Sequence, residues 1–104
     1  MKTVAMYLDD IRNPKTNKDW VILRNSEEAI NYVKQNGMSS FASFDHDLGG
    51  DDTAMIFIKW LIDYDLENDG KIIPADFQWN VHSANPVGVK NIDGILKSYM
   101  LFKF

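Results

Sequence analysis

The stretch Val4-Ala5-Met6-Tyr7-Leu8-Asp9-Asp10 decides the fold. Five apolar residues stop abruptly at two aspartates, the pattern of a short strand buried on both faces that delivers charge at its carboxyl end. The same pattern recurs outward along the chain. Phe41–Phe44 runs into Asp45-His46-Asp47-Leu48-Gly49-Gly50, and residues 77–81 run into His82-Ser83-Ala84-Asn85-Pro86. Trp20–Leu23 supplies a further strand, reached from the first through the extended polar loop 13–19, which contains Pro14.

Helical signals separate these runs. Asn25 can cap a helix whose Glu28 reaches back three residues later. Ala29, Ile30 and Val33 give it an apolar stripe, and Gly37 stops it in the left-handed conformation that glycine favours. A second helix is predicted over 52–64, before an Asn68-Asp69-Gly70 turn. Its apolar residues, from Met55 to Ile62, surround it, which is read as deep packing, with a dimer interface as the alternative. Pro86 opens a third helix whose buried face carries Ile92, Ile95, Leu96 and Tyr99. The tail 100–104 fits a strand or a frayed helix end equally well.

Strands alternating with helices point to an α/β fold with a mainly parallel sheet and right-handed crossovers. The length of 104 residues suits a single domain over 1–104, and at this size folding buries roughly two-thirds of the chain's surface, so no covalent staple is needed. There is no cysteine, which excludes disulfides and thiolate chemistry and fits a reducing compartment. No signal peptide pattern is visible, and the longest apolar stretch, 54–62, is too short to span a bilayer, so the expected location is the cytoplasm. A net charge of −4 argues against broad duplex nucleic-acid binding, while leaving room for a small phosphate ester held through a metal ion.

In open parallel sheets the site lies beyond the carboxyl ends of the strands. Asp9, Asp10, Asp45, His46, Asp47, His82, Ser83 and Asn85 all fall there, and they include both histidines of the chain. Carboxylates gathered at one rim repel one another, which a cation relieves, and an all-oxygen set suits magnesium, manganese or calcium. Histidine adds a group that exchanges protons near neutrality. The blander reading of each aspartate pair is a turn or cap, and of each histidine a structural residue; concentration at one rim favours a shared site. Full extension through residue 47 would put Asp45 and Asp47 on one face and His46 on the other, unless the chain turns at His46. Arg12 can clamp a phosphate or pair with a neighbouring carboxylate. Trp20, Trp60 and Trp79 could stack a base but are read as structural.

The motifs Tyr7-Leu8-Asp9-Asp10-Ile11-Arg12-Asn13-Pro14, Phe44-Asp45-His46-Asp47-Leu48-Gly49 and Val81-His82-Ser83-Ala84-Asn85-Pro86-Val87-Gly88 together resemble the cyclic-phosphate processing receiver domains of bacterial and phage genomes. The resemblance implies a shortened, three-layer receiver or flavodoxin-like fold of about four strands with helices on both faces. It also implies an acidic metal pocket acting on cyclic phosphates of nucleotides or RNA ends. By the receiver pattern Asp9 and Asp10 bind metal, Asp45 matches the phospho-accepting aspartate, and Ser83 the hydroxyl residue of the fourth strand. The receiver lysine after a fifth strand has no counterpart, which counts against a stable aspartyl phosphate.

The leading expectation is therefore a phosphodiesterase using magnesium or manganese. Asp9, Asp10 and Asp45 are its metal ligands, His46 and His82 its acid and base with Asp47 orienting one of them, and Ser83, Asn85 and Arg12 its phosphate contacts. The alternatives are a module that binds a cyclic nucleotide or a host protein without turnover, in a viral setting within the host cytoplasm, and a phospho-accepting receiver using Asp45. A homodimer is left open.

Overall fold

The structure, a computed structural model, describes residues 4–16 and 19–103. Asn17 and Lys18 of the loop 13–19, and Phe104 of the tail, lie outside the described residues. The elements in chain order are β1 (Ala5–Leu8), β2 (Trp20–Leu23), α1 (Ser26–Asn36), β3 (Phe41–Phe44), α2 (Ala54–Glu67), β4 (Gln78–Val81) and α3 (Pro86–Lys103). The strands form one parallel sheet in the order β2-β1-β3-β4. Among the described residues no helix is long and apolar enough to cross a membrane.

Local chemistry explains the boundaries. Asn25 accepts the Glu28 amide at 2.8 Å, as a cap should, but the Glu28 carboxylate reaches past Asn25 to the Arg24 amide, also at 2.8 Å. Gly37 has φ +79° as expected, yet its ψ of 179° lies outside the left-handed helical region, in backbone territory open essentially to glycine alone. The second helix starts two residues later than predicted because Asp52 is otherwise engaged. Its carboxylate accepts the Ser26 amide at 2.9 Å and the Ser26 hydroxyl at 2.6 Å, tying the loop before α2 to the first turn of α1. It also ends later, at Glu67, where Asp69 and Gly70 turn the chain with φ of 58° and 71°. The tail continues α3 as helix to Lys103.

The sheet and the helices share one core. Met6, Leu8, Leu23, Ala42 and Phe44 pack with Ala29 and Val33 of α1, Phe57, Ile58 and Leu61 of α2, and Ile92 and Leu96 of α3. Each fully buried large side chain contributes about 1.5–3 kcal/mol. Deep packing holds for α2 on its inner side, while Ile56 and Leu66 remain exposed.

The receiver-like α/β sheet of four parallel strands is thus present, but helices on both faces are not. From the strand order, β1 to β2 runs one way across the sheet, while β2 to β3 and β3 to β4 run the other way. Right-handed crossovers therefore put α1 and α2 on one face, α3 packs beside α2, and only the β1–β2 connection belongs to the opposite face. The described part of that connection contains no helix. On the opposite face Tyr7, Trp20, Phe41, Ser43 and Asn80 line a cavity together with Pro14, Lys15 and Thr16 of the loop.

Candidate functional site

The strand order reverses between β1 and β3, so the crevice at their carboxyl ends is flanked by Asp9 on one side and Asp45 on the other. Backbone bonds fix both: the Asp9 amide donates to the Leu23 carbonyl at 3.1 Å and the Asp45 amide to the Leu8 carbonyl at 2.8 Å. Asp9, Asp10 and Asp45 each place an oxygen within 4.8 Å of the others. Asp9 is fully buried and Asp45 nearly so.

Asp9 is the most constrained of the three. Its Oδ1 accepts the Ile11 and Arg12 amides at 3.0 and 2.8 Å, a turn that folds the β1–β2 connection back over the strand end. Its Oδ2 meets His82 Nε2 at 3.0 Å and Arg12 Nε at 3.2 Å. Burial pushes the carboxyl up, but the two amides, His82 and the Arg12 charge more than offset it and hold it below the usual aspartate value. It is a permanent anion at neutral pH.

Arg12 takes the carboxylate-pairing alternative. Besides Asp9, its Nη2 lies 3.5 Å from Asp45 Oδ2, so a half-exposed guanidinium bridges the two buried acids. The positive charge at Asp45 comes from Arg12 of the β1–β2 connection. Arg24 supports this connection, donating to the Asp9 and Arg12 carbonyls at 3.1 and 2.6 Å.

His82 belongs to the cluster. With Asp9 anionic, Nε2–H donates to Oδ2, while Nδ1 lies 2.6 Å from the Ser43 hydroxyl. Asn80 donates to the same Ser43 oxygen at 3.3 Å, and Tyr7 stacks flat on the imidazole with centroids 4.6 Å apart. Ser43, Asn80 and Tyr7 escaped the sequence reading. Strand alternation puts all three on the face of His82, but the pairing of β3 with β4 that joins them cannot be read locally.

His46 is placed elsewhere on the rim. The chain bends at His46 after β3, which separates Asp47 from Asp45. His46 Nδ1 meets Asp47 Oδ1 at 3.1 Å, and its ring packs on Gly88 in the first turn of α3. Hydrogen bonds from His46 and Asn85 hold the exposed Asp47 carboxyl below its usual value. Ser83 and Asn85 spend part of their capacity on α3: Ser83 Oγ accepts the Asn85 amide and Asn85 Oδ1 the Gly88 amide, both at 3.1 Å. The rim therefore holds two groups, Asp9-Asp10-Arg12-Asp45-His82 and His46-Asp47-Asn85, with no side-chain hydrogen bond or ion pair joining them among the described residues.

Gly88 is required by this second group, since a Cβ there would overlap the His46 ring and its Cβ. Gly88→Ala is expected to cost about 1–3 kcal/mol in chemical denaturation. The His46 ring signals in a two-dimensional NMR spectrum should move while those of His82 stay in place. Unmoved His46 signals would contradict the packing.

Three carboxylates with oxygens within 4.8 Å of one another, two of them bridged by an arginine, form a hard, oxygen-rich cluster next to an imidazole. No curated protein and no solved structure matches the chain. The family description "Cyclic-phosphate processing Receiver domain" matches residues 4–98, which takes in every strand, both rim groups and most of α3. With that match spanning nearly the whole sequence, and with the parallel sheet and acidic crevice in place, the chain belongs to the cyclic-phosphate processing receiver domains.

Proposed function

We propose that the domain is a metal-assisted phosphodiesterase that opens a cyclic phosphate on a nucleotide or an RNA end, working in the cytoplasm. The observation that carries this reading is the meeting of Asp9, Asp10 and Asp45 within 4.8 Å, with His82 Nε2 at 3.0 Å from Asp9. The donor set fits magnesium or manganese, held by these three carboxylates. A bound divalent ion would polarise a non-bridging phosphate oxygen and acidify a water.

The remaining work falls to this chain's own groups. Arg12 is half exposed and already at the cluster, so it can turn its fork toward phosphate oxygens. In its doubly protonated form His82 carries a proton at Nε2 beside Asp9 and returns to neutral imidazole on releasing it, which suits the acid that protonates the departing sugar oxygen. His46 has Nε2 without a hydrogen bond among the described residues and Nδ1 fixed by Asp47, which suits the base that takes a proton from water. Water oxygen then bonds to phosphorus, the ring P–O bond breaks, and the product is a phosphate monoester. Ser83 and Asn85 stand at the α3 end of the rim to bind phosphate oxygens.

The test is a panel of 2′,3′-cyclic mononucleotides and cyclic dinucleotides with magnesium or manganese. Monoester formation is expected, and it should fall by about 10²–10⁴-fold in a His46→Ala, His82→Ala double variant. Unchanged substrate across the panel, or full activity in that variant, would defeat the reading.

A further inference from the structure

The face of the sheet without helices holds a cavity of about 250 Å³ walled by the rings of Tyr7, Trp20 and Phe41. Its floor is polar: Ser43, Asn80 and His82 line the same space. We propose that this cavity is a nucleobase pocket, taking the heterocycle of a nucleotide whose phosphate lies at the acidic crevice. The phosphate half of that statement rests on the phosphodiesterase reading; the pocket itself does not.

The walls are suited to a flat ring. Tyr7 and Trp20 stand edge to face at 75° with centroids 5.3 Å apart, and Trp20 and Phe41 are tilted by 57° at 6.0 Å. Tyr7 is stacked on His82 and buried, so Trp20 and Phe41 are the walls on which a planar heterocycle would stack. The Thr16 hydroxyl accepts from Trp20 Nε1 at 3.1 Å, which holds the mouth of the cavity against its wall. The volume falls just under the range of about 300–1,000 Å³ for pockets that enclose drug-sized ligands, so it suits one ring system. A whole dinucleotide exceeds it.

The floor gives the pocket a reading edge. Asn80 is exposed and uses one amide N–H on Ser43, which leaves Oδ1 and a second N–H for a ligand. A neighbouring acceptor and donor pair with the adjacent donor and acceptor that each base carries on its Watson–Crick edge, such as the amino group and N1 of adenine. Lys15 puts a positive charge at the mouth of a chain whose net charge is −4, as an anionic ligand requires. His82 joins the two regions, with Nδ1 facing the Ser43 floor and Nε2 facing Asp9. One imidazole thus separates the proposed base site from the proposed phosphate site, the relation those parts have within a nucleotide.

The experiment uses two half-ligands. Adenosine, guanosine and uridine, which lack phosphate, are titrated into metal-free protein and followed by the aromatic NMR signals of Tyr7, Trp20 and Phe41. In parallel, a base-free five-membered cyclic phosphate diester is tested for turnover with manganese. Adenosine is expected to shift those signals. Asn80→Ala, a surface change that should leave the fold intact, and Trp20→Ala should each weaken adenosine by about five- to 150-fold. No shift with any nucleoside at millimolar concentration, or undiminished adenosine binding by Asn80→Ala and Trp20→Ala, overturns the pocket. Adenosine binding without cyclic phosphate turnover sustains the pocket and removes the phosphodiesterase reading. Turnover of the base-free diester without nucleoside binding does the reverse.

Discussion

Asp9→Asn is expected to lower turnover of a 2′,3′-cyclic nucleotide by about 10²–10³-fold, the largest effect of any single conservative change at the rim. The substitution keeps the shape and the Oδ1 bonds to the Ile11 and Arg12 amides, but it removes the buried negative charge. It also turns an amide N–H toward His82 Nε2 and Arg12 Nε, donors facing a donor where a carboxylate oxygen stood. Asp10→Asn should cost less, about tenfold, because Asp10 is only half-buried and carries no comparable set of bonds. Steady-state kinetics in magnesium separates the two. Wild-type turnover in Asp9→Asn would remove the carboxylate from the chemistry.

Asp65→Ala is expected to destabilise the fold by about 3–5 kcal/mol, a large share of the roughly 5–15 kcal/mol that holds a domain together. Asp65 is fully buried beneath the end of α2. It accepts the Ile72 and Ile73 amides, both at 2.8 Å, the Tyr99 hydroxyl, and Lys103 Nζ at 2.9 Å. Lys103 adds a bond to the Ile73 carbonyl at 2.7 Å, so one carboxylate binds the loop after α2 to the last turns of α3. Truncation would take the Asp65 carboxylate away from a buried lysine and leave a hydroxyl and two amides without the acceptor they share. Denaturant melts should show the midpoint falling, and the helical signal of α3 should fray first.

The same group sets an acid limit. Burial alone would raise the Asp65 carboxyl, but Tyr99, the Ile73 amide, Lys103 and the Ile72 amide outweigh it, so the folded value lies below the usual one. A depressed folded pKa means that this stabilisation is complete above the unfolded value of about 3.9 and disappears as pH falls through the lower folded value. Between those two values the wild type should lose stability that an Asp65→Asn variant no longer has to lose. Parallel stability curves for the two proteins over that window would contradict the assignment.

Much of this architecture was legible in the chain. The abrupt ends at Asp9-Asp10, Asp45 and His82 marked three strand termini, and parallel order then sends them to one rim. Asn25 and Pro86 announced helix starts because capping chemistry is local. Lateral relations were not local. The uncovered face follows from the direction of the β1–β2 crossover, which needs the strand order as well as the polar loop 13–19. The division of the histidines follows from where α3 docks: Gly88 admits the His46 ring, while His82 turns to the opposite side of its strand and meets Asp9 across 73 positions of sequence. Asp65 carried no signal because its partners lie far along the chain, Tyr99 in the predicted last helix and Lys103 in a tail whose helical state the pattern left open. Trp20, read as structural, also lines the cavity on the helix-free face.

The most direct test of the acidic crevice is manganese binding followed by electron paramagnetic resonance, in the wild type and in an Asp9→Asn, Asp45→Asn double variant. The account predicts one saturable site in the wild type, displaced by magnesium and lost in the double variant while circular dichroism shows the fold retained. A wild type that leaves manganese free in solution, or a folded double variant that binds it equally well, would contradict it.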